Sequence, residues 1–184
     1  MPLSTTSSNT LSPFMFPISV GRLCGTSLGA GALTTLAVTA GVLYACPIFV
    51  STTTTLTAIG IEVTTGATGN VKLGMYLDSS GTPGALRFDA GAVSTATPAA
   101  FKSIAISQVL TPAWYWLAGV FSATPTVRAL TTANSLHLLG FSSGTDTVIH
   151  TGVSVAFSYA ALPDPFTGGS TLAAVNFPRF MLQA

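Results

Sequence analysis

The amino-acid sequence predicts an all-β protein: an antiparallel β-sandwich of jelly-roll type with an extended N-terminal arm. Two observations predict this class. Short segments whose apolar residues recur at every second position follow one another along the chain, separated by clusters of Gly, Pro, Ser and Thr. No segment combines an amphipathic helical face with helix caps. The nearest one, residues 28–38, is rich in Gly and Thr, which disfavour a helix.

The N-terminal residues 1–40 are predicted to form an arm or attachment segment, and residues 41–184 the β-sandwich body. The first ten residues are small and polar. Phe14, Met15 and Phe16 follow between two prolines, which block a regular helix or a central strand. This apolar triplet predicts a docking segment that becomes ordered against a partner. A frayed terminus is the alternative interpretation.

The body begins with a nearly continuous apolar run of strand length at residues 41–50. Residues 56–65 and 70–78 then alternate between two faces, which is typical of half-buried strands; the apolar positions are Ile59, Ile61, Val63, Val71, Leu73, Met75 and Leu77. The sequence DSSGTPG predicts a turn. Further strands are predicted at residues 85–91, 100–107, 113–121, 135–141, 152–160 and 177–183.

The composition is unusual for a soluble domain. Only 6% of the 184 residues are charged, whereas about 25% is usual, and the mean hydropathy is +0.64. So few charges predict a surface that partner subunits cover, as in an obligate oligomer.

Charge also excludes several classes of partner. The formal net charge is +1 and no Lys/Arg cluster occurs, so we expect no nucleic-acid binding. Residues 23–61 contain no charge, but their Gly and Pro content argues against a membrane-spanning helix. The first twenty residues lack the basic start of a signal peptide, which predicts assembly in a cytoplasm without membrane insertion.

One catalytic motif can be found in the sequence. Residues 25–29 match G-x-S-x-G around Ser27, and Asp146 and His150 follow in the order of a hydrolase triad. That motif requires a strand, a sharp turn and a helix, and no helix is predicted after Ser27. We therefore predict that the protein is not an enzyme.

Metal and redox sites are also not indicated. His137 and His150 lack zinc-ligand spacing, and no cofactor is predicted. Asp78 is interpreted as a turn residue, with a calcium ligand as the alternative. Cys24 and Cys46 are predicted to be separate thiols, and a disulfide between them stays open.

The aromatic triplet Trp114-Tyr115-Trp116 is the main candidate binding feature. In a strand, Trp114 and Trp116 share one face and Tyr115 points to the other. Such side chains favour packing in the core or between subunits, because aromatic rings bury large areas. A platform on which a sugar ring stacks is the functional alternative.

Three stretches, VKLGMYLDSSGTPGAL, TPAWYWLAGVF and ALPDPF, resemble a family of small bacteriophage virion proteins of the tail-fibre, head-fibre, spike and minor tail type. The resemblance covers residues 43–184. It implies a β-sandwich, often in a three-fold fibre or spike that is attached through its N-terminus, and it brings no catalytic residues. It therefore implies a virion protein that forms a homotrimer and contacts other virion proteins through its arm. Its position in the virion further implies contact with the host surface through a glycan. A carbohydrate-binding adhesion module with no scaffolding role in the virion is the alternative.

Overall fold

The computed structural model describes residues 23–25, 33–97, 100–131, 139, 144–145, 150–168, 171–173 and 176–184. These residues contain strands, turns and bends, and no helix. The strands are β1 (Leu23–Gly25), β2 (Thr34–Ala37), β3 (Val42–Val50), β4 (Thr54–Thr65), β5 (Asn70–Ser79), β6 (Thr82–Ser94), β7 (Ala100–Leu110), β8 (Ala113–Phe121), β9 (Thr126–Leu130), β10 (Gly152–Ala156), β11 (Thr171–Ala173), β12 (Phe177–Pro178) and β13 (Phe180–Gln183).

The strands form two antiparallel sheets. The first, called here the β3 sheet, has the order β11-β10-β3-β8-β5-β6. The second, the β4 sheet, has the order β1-β13-β4-β9-β12, with β2 paired to β9 and β7 paired to β4. This arrangement confirms the predicted all-β class and the antiparallel sandwich. The jelly-roll connection pattern and the extended arm stay predictions.

The main core lies between the two sheets. The predicted apolar positions Ile59, Ile61 and Val63 of β4 are fully buried there, as are Val71, Leu73 and Met75 of β5. Alternating burial is what a strand between a core and an outer face produces. The prediction from periodicity is therefore confirmed for these residues.

Strand β5 differs from its prediction in two respects. Leu77 was expected to be buried, but it is 40% exposed. Tyr76, expected on a half-exposed face, is fully buried. Tyr76 is buried because a second core lies on the outer face of the β3 sheet, where Leu162 and Phe166 pack against Tyr76 and Trp116.

Other boundaries also differ. Strands β1 and β2 pair with β13 and β9, so the β4 sheet extends into the range that was predicted as an arm. Strand β9 was not predicted. The segment predicted at 152–160 ends as a strand at Ala156, and residues 135–141 lie outside the described residues except for Leu139.

In the described part of the chain, no helix has the length and apolar character needed to cross a bilayer.

Candidate functional site

The aromatic triplet lies in β8, at the centre of the β3 sheet. Tyr115 is buried in the core between the sheets, and Trp116 belongs to the core on the opposite face. The predicted division of the triplet between two faces is therefore confirmed. With 1% and 4% of their surfaces exposed, Trp116 and Tyr115 are packing residues.

Trp114 is the member of the triplet that reaches the surface. It is half-buried, and its ring lies against Phe49 of the paired strand β3, at a centroid distance of 5.2 Å and an interplanar angle of 54°. Trp114 lines an open cleft of about 300 Å³, together with Pro47, Asp78, Gly81, Trp116 and Leu139. A concave site with aromatic walls and few polar groups is typical of a small-ligand pocket.

Asp78 supplies the carboxylate of this Trp114 cleft. Asp78 is the next-to-last residue of β5 and lies beside the turn of the β5–β6 hairpin. The two turn residues, Ser80 and Gly81, have φ of 54° and 84°, as a type I′ turn requires. The indole Nε1 of Trp116 donates to Asp78 Oδ1 (2.8 Å), and the Gly81 amide donates to Oδ2 (3.1 Å). The predicted role of Asp78 as a turn residue is confirmed by the second bond, and the first bond holds the carboxylate beside the cleft.

Residues 162–166 cover the second core and are fixed to the β3 sheet by three contacts. The Tyr76 hydroxyl donates to the Pro163 carbonyl (3.0 Å), and the two rings of Tyr76 and Phe166 meet edge to face at 5.1 Å. The Leu86 amide donates to Asp164 Oδ1 (2.9 Å). Burial raises the pKa of Tyr76, and the charges of Asp89 and Asp164 raise it further. This hydroxyl therefore stays protonated and acts as a donor.

A second polar site lies on the outer face of the β4 sheet, and sequence reasoning missed it. Glu62 Oε1 accepts hydrogen bonds from Arg128 Nε (3.2 Å) and Nη2 (2.8 Å), and Glu62 Oε2 accepts one from Arg179 Nη2 (3.0 Å). These three residues are called the ion cluster. Their side chains are 20–32% exposed.

The ion cluster marks the point where three strands meet. The chain at 177–178 pairs with β9, then at Arg179 it turns to pair with β4, while β4 itself continues into a pairing with β9. Strands β4 and β9 and the link between β12 and β13 therefore each place one charged residue at the fork. The one signal in the sequence was an isolated charge in each of three otherwise uncharged segments: Glu62 in β4, Arg128 in β9 and Arg179 between β12 and β13.

The contacts within the ion cluster shift the pKa values of its three side chains. The hydrogen bond from Arg128 lowers the pKa of Glu62, and the positive charges of Arg128 and Arg179 lower it further, against the effect of burial. The same bond raises the pKa of Arg128, whereas burial lowers that of Arg179. A cleft of about 500 Å³ opens above the cluster, with Phe101 and Met181 among its walls.

The described residues provide no support for the hydrolase triad or for a metal site. Ser27, Asp146 and His137 lie outside them, and His150 is buried at 5% exposure. Among described side chains, no group of three or more His, Cys, Asp or Glu could hold a metal ion. Cys24 and Cys46 are thiols with no disulfide between them. The predicted docking triplet Phe14, Met15 and Phe16 also lies outside the described residues.

In comparisons with known proteins, the sequence matches no protein-family model and no curated protein.

Proposed function

We propose that this protein is a non-enzymatic structural subunit of a bacteriophage virion, of the fibre, spike, decoration or minor tail type. It assembles as a symmetric homotrimer in the host cytoplasm and joins other virion proteins through its N-terminal segment. The resemblance of residues 43–184 to small virion proteins, the antiparallel sandwich and the surface chemistry all support this proposal.

The described carboxylates of the chain are oriented by internal hydrogen bonds, and Asp78 and Asp164 are at the same time exposed. All four described carboxylates accept internal hydrogen bonds: Glu62 from the ion cluster, and Asp78, Asp89 and Asp164 from backbone amides, with the Trp116 indole as a further donor to Asp78. Such carboxylates contribute to the fold rather than to acid–base chemistry. Six Lys/Arg and five Asp/Glu residues are few for a chain of 184 residues, which favours coverage of part of the surface by sister subunits.

The observation that supports assembly most directly is strand β7. Within the described part of the chain it pairs with β4 alone, so one long edge of the β4 sheet lacks a strand neighbour. No charge or proline occurs in β7 after Lys102, and Val109 is 53% exposed. Edge strands of monomeric proteins commonly carry charges or prolines that prevent pairing with another chain. The long edge of β7, on which Lys102 is the one charge, therefore fits a subunit interface.

The solution mass tests the oligomeric part of this proposal. We expect light scattering after size exclusion to give three times the chain mass of 18.7 kDa over a wide range of concentration. A stable monomer would overturn the assembly. Electron microscopy of phage particles that carry a labelled chain tests the virion part, and a label absent from purified particles would overturn that.

A second candidate function, carbohydrate binding, is favoured by the Trp114 cleft. It combines a surface indole with a carboxylate that is held in place by two hydrogen bonds. Aromatic faces and fixed polar acceptors are the groups from which sugar sites are built. Glycan-array screening of the intact chain, with Trp114→Ala as the comparison, tests this candidate.

A further inference from the structure

The Trp114 cleft has a chemical bias that follows from its lining. Of the six described residues that line it, Asp78 is the one with an ionisable side chain, and Pro47, Trp114, Trp116 and Leu139 form apolar walls. The cleft is therefore negative, although the chain as a whole carries a formal charge of +1. A ligand that covers Asp78 must compensate this charge, since burying an unpaired carboxylate is costly.

The carboxylate of Asp78 is already oriented before any ligand binds. Each of its oxygens accepts one hydrogen bond, from Trp116 Nε1 and from the Gly81 amide. A carboxylate has about four acceptor positions, so each oxygen keeps a lone pair for a further donor. Because both present donors are neutral, they leave the negative charge in place.

The indole of Trp114 supplies the second recognition element. Its contact with Phe49 at 5.2 Å restrains the ring at the cleft wall. An aromatic face attracts cations through its quadrupole, and Trp does so most strongly of the aromatic residues. The same face packs against the apolar C–H groups of a sugar ring.

We infer that this cleft binds an amine-bearing sugar, with the ammonium group on Asp78 and the sugar ring against Trp114. The inference rests on the carbohydrate-binding candidate above and specifies its ligand. A neutral hexose can donate hydroxyls to Asp78 but leaves the charge uncompensated, whereas an ammonium pairs with it through a charge-assisted hydrogen bond. The cleft volume of about 300 Å³ is at the lower end of ligand pockets and suits a single sugar residue.

Three methyl glycosides that differ at one position test the inference: those of glucosamine, N-acetylglucosamine and glucose. Binding to the intact chain is followed by calorimetry and by tryptophan fluorescence. We expect the glucosamine derivative to bind about tenfold more tightly than the other two, the size of effect that one charge pair with an aromatic neighbour provides. Its affinity is expected to fall with added salt, because screening weakens a partly exposed pair.

Variants locate the effect in the cleft. In Asp78→Asn we expect the preference for the amine to disappear while weak sugar binding remains, and in Trp114→Ala we expect binding of all three sugars to be lost. Glu62→Gln, which removes a carboxylate on the other sheet, is the matched control and is expected to bind like the parent. Circular dichroism shows whether each variant is folded, and the salt dependence of the parent chain provides a test that needs no variant.

The outcomes are distinct. Equal affinity for the three glycosides would overturn the preference for an amine and leave carbohydrate binding intact. Absence of binding by all three would overturn the inference, the glycan array decides separately whether the chain binds any other carbohydrate, and the trimer measurement tests the structural role independently.

Discussion

At the scale of single residues, the charged side chains of this protein act mainly as parts of the fold. Glu62 lies in β4, Arg128 in β9 and Arg179 in the link between β12 and β13, and these segments meet at one fork on the β4 sheet. The strand ladder is interrupted at that fork. Arg128 donates twice to one oxygen of Glu62 and Arg179 donates once to the other. Such charge-assisted hydrogen bonds are stronger than neutral ones, so the cluster stabilises the relative positions of β4, β9 and β13.

Glu62→Gln is expected to lower the free energy of unfolding at pH 7 by about 1 kcal/mol, the upper range for a partly exposed ion pair. Because the folded-state pKa of Glu62 lies below its ordinary value of 4.5, its contribution is present above that value and is lost as the pH falls through the lowered pKa. Urea denaturation of parent and variant at pH 7 and pH 3 measures this. An equal difference at both pH values would contradict it, and Lys72→Gln, a charge removal away from the fork, is the control.

At the scale of elements, strand β5 is enclosed on both faces. Leu73 and Met75 face the core between the sheets, and the outer-face residues Gly74 and Tyr76 lie beneath the 157–166 segment. Gly74 is required by this close approach, since a Cβ atom there would collide with Leu162 Cδ1 and the Phe88 carbonyl oxygen. The segment and the β5–β6 hairpin are therefore packed as one unit.

Gly74→Ala is expected to destabilise the protein by about 1–3 kcal/mol, as overpacking of a core does. Gly168→Ala is the matched control, because a Cβ at Gly168 meets no atom within 4 Å. Its effect is expected to stay within about 0.5 kcal/mol. Urea denaturation compares the two, and equal stability of both variants would show that the 157–166 segment moves aside without cost.

At the scale of the whole molecule, strand β7 carries few of the features that keep an edge strand from pairing, because Lys102 is its one charged residue and it contains no proline. Apolar Val109, Leu77 and Leu33 are 53%, 40% and 36% exposed, and β7 offers a long edge without a strand neighbour among the described residues. The second edge strand, β6, ends the β3 sheet, and Arg87 of β6 donates to the Val109 carbonyl at 3.2 Å. The two edges therefore flank one side of the sandwich, where we expect the subunit interface.

Ala105→Lys on β7 is expected to shift the trimer toward the monomer, because a charge on an edge strand opposes pairing with another chain. Ala160→Lys, at an exposed bend outside the strands, adds the same charge and is expected to leave the trimer intact. Sedimentation velocity of both variants measures the shift. Unchanged assembly of Ala105→Lys would place the interface elsewhere.

The sequence by itself determined the fold class, the buried faces of β4 and most of β5, the β5–β6 turn and the division of Trp114, Tyr115 and Trp116 between two faces. Those properties depend on period-two alternation and on turn residues that act over a few positions. The second core and the ion cluster depend on contacts between distant residues, such as Tyr76 with Pro163 and Glu62 with Arg179, which are 87 and 117 positions apart. Only the tertiary structure could bring these groups together, because local patterns do not specify which distant strand or segment covers an outer face. For the same reason, the sequence indicated the Trp114 platform, and the structure added the Asp78 carboxylate and the cleft.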